Sequence, residues 1–483
     1  MRRSLLPMPA TLSRVLLRFG RCGPAAITLL LGGCALSTPP QHADLVAQAL
    51  PANTRVPTTW AAGAQHVAVA DDWLKALQDP ALEVIVAEAL AYNPDLRQAA
   101  ARVEAAREAV KVVGARLQPQ VGAQLGATAR QDRDNGSFNS SFGALGVAWE
   151  VDIWGRVRAQ TAGAQASAEA VALDYAYARQ SLAATTAKLW YLATESQQLV
   201  ELAGEAVAIY ERLLALVQQR RAAGKDSDMN LVDVRASLQS AQSGLLTAQQ
   251  AAAEVRRSLE TLIGRYPSAE ISVANRFAPL PPPVAAGLPA TLLERRPDLL
   301  AAQSAVLAAF RQQEAAQLAL LPDVSLTAQG GRVGSGLLAL LGLNPWLAAA
   351  QVGLSIPIYE GGALRARIAI ATAEQAQAVA RFGGQSLTAF REVENALASE
   401  QYLLNRIPYD ERALADRGEA VRIATIQFKA GQRDILWVSR LQAEQLGNQE
   451  VVVRARAAQR INRIQLHLAL GGSFDARPAA IAQ

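Results

Sequence analysis

Apolar positions along this chain follow two different periods, and each is used twice. From 95 to 118, Leu96, Val103, Val110 and Leu117 recur every seven residues, with Ala99, Ala106 and Val113 between them. That is a heptad seam, and its alanines allow close helix approach. Pro119 ends it. Segments 121–130 and 142–154 lose the helical period. They alternate instead, with Val147, Trp149 and Val151 on one side, around a polar turn region over 131–141. This predicts a β-hairpin over 121–154. A proline-free run over 156–223 follows, rich in Ala, Leu, Gln, Glu and Arg. These are strong helix formers, and about 68 helical residues would extend roughly 100 Å. Such a helix needs partners to bury its apolar side. Over 227–263, Leu231, Leu238, Leu245, Ala252 and Leu259 mark an uninterrupted coiled-coil seam.

The whole pattern then returns. Asn93-Pro94-Asp95-Leu96 answers Arg296-Pro297-Asp298-Leu299 at a spacing of 203 residues, and Ala223-Gly224 answers Ala430-Gly431 at 207. A drift of that size reads as a tandem duplication with loop-sized insertions. The first repeat spans 66–264 and the second 296–471, with a hairpin over 324–359 whose glycine-rich stretch 330–336 is read as its loop, a long helix over 362–430 and a helix over 434–470. A proline-rich bridge over 265–295 joins them, and 472–483 form a short, loose tail. Pro408 lies inside the second long run and predicts a kink or break.

Two strands per repeat give four per chain. Alternating segments of about ten residues, with aromatics such as Trp346 and Tyr359 at their ends, fit a transmembrane β-barrel; soluble hairpins are the alternative. A single-chain barrel begins at about eight strands, and an open hairpin pair in lipid leaves unpaired edges. The barrel reading therefore requires an oligomer.

Charge changes the picture only at the N-terminus. The formal charge of +5 arises from five arginines within the first 33 residues, which hold no acid; the remainder carries 42 basic and 42 acidic residues. A nucleic-acid partner based on high pI is excluded on this ground. Those arginines, an apolar run over 25–31 and Leu31-Gly32-Gly33-Cys34 read as a lipoprotein signal over 1–33, with a covalent lipid on Cys34. An ordinary secretory signal with a chance cysteine is the alternative. Ala35 follows the cysteine, and 34–65, rich in Pro, Thr, Ala and Gln, reads as an extended lipid-anchored tether. With Cys22 in the removed part, one cysteine remains and no internal disulfide forms. No later stretch reaches the ~20 apolar residues of a spanning helix.

Enzymatic chemistry is not legible. Gly224-Lys225-Asp226 lacks the spacing and hydroxyl of a phosphate-binding loop. His42, His66 and His467 are scattered, so no metal site is expected. No cofactor beyond the Cys34 lipid is implied, and no catalytic residue is assigned.

The Cys34 lipobox, Asp79-Pro80-Ala81-Leu82, Asn93-Pro94-Asp95-Leu96, the block from Leu292 to Leu299, the run from Ile356 to Gly362 and the two Ala-Gly tips resemble the TolC-like outer-membrane efflux proteins. The resemblance is to their lipoprotein, NodT-like branch, which serves resistance-nodulation-division pumps. It implies a mainly α fold with a small β part. A homotrimer would share a twelve-stranded outer-membrane barrel continuous with a periplasmic helical barrel, and a mixed collar would surround the helices. It implies a passive duct for drugs and toxic compounds, lipid-anchored in the outer membrane, with a periplasmic adaptor and an inner-membrane pump as partners. A duct for an ATP-driven type I polypeptide exporter is the alternative within the fold; a lipid-anchored coiled coil without a channel is the alternative outside it. Gly224 and Gly431 would lie at periplasmic tips where the adaptor docks, or be plain helix-capping glycines. Acids often found six and nine residues after the second tip glycine are here Trp437 and Arg440, whereas Asp233 lies nine after the first. These three are the aperture candidates. An Asp233–Arg440 pair would help hold a closed state; two solvated charges are the alternative.

Overall fold

The computed structural model describes residues 36–63, 69, 71–132, 136–281, 283–334 and 347–475. In chain order these form α1 (His42–Ala49), α2 (Trp73–Ala76), α3 (Pro80–Tyr92), α4 (Pro94–Gly114), a 3-10 turn (Ala115–Leu117), β1 (Gln120–Asp132), β2 (Gly136–Val151), α5 (Arg156–Ala222) and α6 (Asp228–Leu262). The second half gives α7 (Pro289–Arg295), α8 (Pro297–Leu318), β3 (Asp323–Gly334), β4 (Leu347–Ser355), α9 (Ala363–Lys429) and α10 (Ile435–Ala469). Both long helices have 67 residues, and both of their successors have 35. The fold is mainly helical with one four-stranded sheet.

Compactness does not follow the repeat boundary. One unit comprises the chain up to Leu45, Ala106–Ala168 and Ala305–Val379; the other comprises Val46–Ala105, Glu169–Ser304 and the chain from Ala380 on. Each unit draws on both repeats.

The first unit holds the sheet, which is antiparallel throughout in the order β1-β2-β3-β4. Pairing of β2 with β3, for example Val147 with Ala328, joins the two repeats' hairpins. At the junction with α5, Asp152 accepts hydrogen bonds from the Val157 and Arg158 N–H groups, both at 2.9 Å. A carboxylate there satisfies two of the orphan donors of a helix N-terminus. Gly155 turns the chain with φ +83°. Trp149 Nε1 donates to the Leu117 carbonyl at 3.0 Å, and Trp154 Nε1 to the Pro322 carbonyl at 2.8 Å.

The second unit holds the larger core. Trp73, Leu77, Leu82, Val86, Trp190, Tyr191, Leu259 and Ile464 are all buried there. Asp79 caps α3 by accepting from the Leu82 N–H at 3.1 Å and also takes Trp190 Nε1 at 2.9 Å. Asn93 caps α4 through the Leu96 N–H at 2.9 Å, and its own amide donates to the Leu262 carbonyl. The Asp79-Pro80 and Asn93-Pro94 motifs thus pair an N-cap with proline at the first helical position. Buried Glu260 fixes the bridge by accepting from the Ala269 and Ile271 N–H groups at 2.6 and 2.9 Å.

Five expectations are corrected. The tether is not simply extended. It contains α1, Ser37 bonds to Glu314 through both its N–H and its hydroxyl, and Trp60 is buried with its Nε1 on the Ala286 carbonyl. A buried indole outweighs the polar composition around it. The tail is not loose where it is described: Phe474 enters the core, and Ser473 bonds to Asp71 and Asp72. Pro408 does not break α9. Pro408 and Leu404 are exposed, so water reaches the carbonyl that loses its partner. The polar turn over 131–141 is largely strand, because β2 begins at Gly136. Likewise Gly331–Gly334, expected in a loop, lie in β3. Polar and glycine residues extend a strand when a neighbouring strand supplies the pairing.

Candidate channel wall and helical tips

The sheet has two unlike faces. Register places Val121, Ala123 and Leu125 of β1 on the same side as Val147 and Leu145 of β2, Leu326 and Ala328 of β3, and Val352 and Ala350 of β4. The opposite side carries Gln120, Gln124 and Thr128 of β1, Ser325, Thr327 and Gln329 of β3 and Gln351 of β4, interleaved with Ala148, Ala144 and Phe142 of β2 and Ala349 and Leu347 of β4. Toward the hairpin turns the division blurs, with Ser141 and Arg332 on the apolar side. The apolar side is bare within one chain: Leu125 is 80% exposed, Val121 74% and Val352 73%. β1 and β4 are edge strands. An exposed apolar sheet face with open edges is incomplete in water.

The tip residues lie in the second unit. Gly224 and Gly431 have φ +68° and +71°. At each, the residue after the glycine donates back across the last helical turn, Lys225 N to Arg220 O and Gln432 N to Gln427 O. This is the Schellman reversal that favours glycine. Ser227 and Asp434 then cap α6 and α10. Leu213, Val217, Leu231 and Val234 pack together with Ile435 against them, and Ile435 also touches the cluster of Ala424, Val438 and Leu441. The two tips therefore share one apolar contact. Asp226 accepts from Asn230 at 2.7 Å, from the Ser227 N–H and from Arg220. Those bonds, that from Asn230 foremost, hold its carboxyl below the ordinary range.

The proposed Asp233–Arg440 pair does not form within the chain. Arg440 stacks on Trp437 at 4.1 Å from the ring centroid, and Arg433 covers the same ring at 5.4 Å. Trp437 and Arg440, three apart, share one face of α10, and Arg433 reaches the same indole from the bend that precedes the helix. Arg440 also lies 3.8 Å from Glu444. Asp233 is exposed and, among the described residues, makes no ion pair. Cys34 and Trp346 lie outside the described residues, as does His66.

Sequence reading gave the block at 295–299 no physical role. Arg296 is buried and bonds Asp298 at 2.8 Å, Glu392 at 2.7 Å and the Ala469 carbonyl at 3.2 Å. Burial opposes its charge, but the two carboxylates outweigh burial and raise its pKa. A second buried pair joins Arg463 to Glu400 at 2.8 Å. His467 stacks on Trp73 with centroids 6.0 Å apart. Burial, with Arg463 adding to it, lowers its pKa to about 4, so it is neutral near pH 7. Apart from Asp298, two positions from Arg296, no signal in sequence marks these partners, which lie tens to hundreds of positions apart.

Among the described residues there is no cluster able to hold a metal ion, and no helix long and apolar enough to cross a membrane. The family model for outer membrane efflux proteins matches residues 85–265 and 288–472, one stretch per repeat. The pyoverdine export outer membrane protein OpmQ of Pseudomonas aeruginosa is 30% identical over 476 residues, covering 94% of this chain and 97% of that protein. The toluene efflux pump outer membrane protein TtgC of Pseudomonas putida is 28% identical over 473 residues, covering 93% and 95%. The solved outer-membrane channel OprN matches with a TM-score of 0.77 at 26% identity, over 88% of this chain and 99% of that one. The chain belongs to the outer membrane efflux protein family and is an outer-membrane efflux channel, not an enzyme.

Proposed function

We propose that three copies close one twelve-stranded barrel, four strands from each, and that the assembly is the passive exit duct of a tripartite pump. One observation carries this reading: a four-stranded sheet, apolar on one side and richer in Gln, Ser and Thr on the other, with both edges open. Lipid satisfies the apolar side, and neighbouring copies satisfy β1 and β4. The polar side, rich in Gln, Thr, Ser and Gly, then lines a wet pore. A lipid on Cys34 fits the same picture. Three residues later the chain is fixed by Ser37, whose backbone carbonyl accepts from Arg311 at 2.9 Å and whose N–H donates to Glu314 at 2.6 Å. Both lie in the unit that carries the sheet.

Relatives are named for pyoverdine export and for toluene efflux. Such unlike cargoes on one scaffold favour a duct that conducts what its pump delivers, with energy and selection supplied by an inner-membrane pump through a periplasmic adaptor. Gly224 and Gly431 are the tip reversals where the adaptor engages. Of the aperture candidates, Trp437 and Arg440 act as one stacked unit with Arg433, and Asp233 is a separate exposed charge. Planar-bilayer recording tests the duct. Purified protein is expected to give discrete conductance steps, larger in a variant that loosens the tip, such as W437A. Protein that inserts without forming pores contradicts the proposal.

A further inference from the structure

Between the bridge, α5, α9 and α10 lies a cavity of about 480 Å3 whose lining residues all belong to the second unit. Arginines dominate its wall: Arg276, Arg456 and Arg460 line it, against Glu411 as the carboxylate. Glu411 is already engaged by Arg456 at 2.7 Å. Arg276 and Arg460 have no carboxylate partner among the described residues. Arg460 is only 8% exposed. Its terminal nitrogens donate to the Arg456 and Ala278 carbonyls at 3.0 and 2.6 Å, and it lies over the Phe277 ring at 4.7 Å. Its Nε has no acceptor, and the amide nitrogen of Gln198, also in the wall, has none either.

Buried donors without acceptors are rare in folded proteins and point to a missing partner. A buried guanidinium whose nearest groups are carbonyls and an aromatic ring is stabilised in part, but its charge is not neutralised. Both orphaned groups here are donors, and the uncompensated side chains are cationic. The missing partner is therefore an acceptor bearing negative charge. We propose that this cavity is an oxyanion site, taking a phosphate-class group held by Arg460 Nε, the Gln198 amide and the Arg276 guanidinium. The volume leaves room for a tetrahedral oxyanion together with water or with a larger group that carries it. Arg276 is exposed and belongs to the bridge, so it closes the site from the solvent side. Binding there ties the bridge to α5 and α10 and stabilises this part of the unit.

The site does not depend on the duct reading, and its test is independent of conductance. Full-length protein in detergent is titrated with inorganic phosphate at constant ionic strength, chloride making up the balance. A parallel acetate series distinguishes a carboxylate from a phosphate source. The expected result is a saturable rise in Tm with phosphate and one equivalent bound per chain by calorimetry. R276Q, at an exposed position where folding is tolerant, is expected to weaken binding by roughly tenfold or more, since hydrogen bonds to charged groups are the strong ones. Q198A weakens it less, and the exposed control R235Q leaves it unchanged. No shift beyond chloride, as for a cavity holding water alone, overturns the proposal. So does a shift of equal size in R276Q and R235Q. Saturation by acetate but not phosphate overturns the phosphate assignment.

Discussion

The sheet and the core around Trp190 treat apolar side chains in opposite ways. In the core, Leu82 and Leu259 are fully buried, and the polar groups among them are capped or paired. In the sheet, Leu125 and Val352 stand bare on a continuous apolar side, with edge strands open on either flank. One chain completes the first region by itself and leaves the second open, which the proposed barrel closes with lipid and neighbouring copies. Exposure of large apolar residues is thus a statement about environment, not a packing defect.

Breaking the core is expected to give the largest effect. E400A leaves Arg463 buried without its partner, which costs about 3–5 kcal/mol, measured by chemical unfolding of the detergent-solubilised protein. Replacing both residues with apolar side chains of similar volume is expected to recover most of that loss. The sheet responds instead to the chemistry of each side. L125K places a charge on the apolar side and is expected to cost about 2–4 kcal/mol of stability in lipid, while Q124K, one residue away on the polar side, costs under about 1 kcal/mol. Equal costs for the two would dissolve the distinction between the faces.

Acid separates the regions in another way. His467, with its ordinary value near 6.5 lowered to about 4 in the fold, binds fewer protons folded than unfolded. Its contribution is complete above pH ~6.5 and is lost as pH falls toward 4, up to about 3 kcal/mol. H467Q is expected to flatten the decline of the unfolding midpoint between those pH values; an unchanged slope contradicts a neutral buried imidazole. A small effect belongs to the tips. Gly224 has φ +68° with open space where a Cβ would stand, so G224A costs about 1 kcal/mol of backbone strain. At Gly264, φ +79°, a Cβ would come 2.9 Å from the Tyr92 carbonyl oxygen, so G264A costs more.

The regular parts of the fold were readable because they repeat. Heptad seams, glycine tips and the duplication are local signals, and the long helices run Arg156–Ala222 and Ala363–Lys429 where glycine-bounded runs of helix formers placed them. What composition obscured was fixed by distant partners. Ser137 to Ser141 look like a turn until β1 pairs with them and β3 with Ser141. The segment before Trp60 looks like a linker until that indole finds the Ala286 carbonyl. At the tips, Trp437 and Arg440 were visible as a departure from the family's acids. The stacking of Arg440 on Trp437 follows from helical spacing, but the approach of Arg433 from the bend before α10 and the absence of Asp233 from that cluster needed the structure itself. The arginines at the proposed oxyanion site come from the bridge and α10, nearly two hundred positions apart, and no periodicity links them.

The central claim is that β1 of one copy pairs with β4 of the next. Cysteines introduced singly along β1 at positions 123, 125 and 127, combined with partners along β4 at 348, 350 and 352, test it in the outer membrane under mild oxidation. One register is expected to yield covalent dimers and trimers and nothing larger, with the chain's own β1 and β4 unlinked. Monomers at every pairing, or a link within a single chain, would contradict the shared barrel.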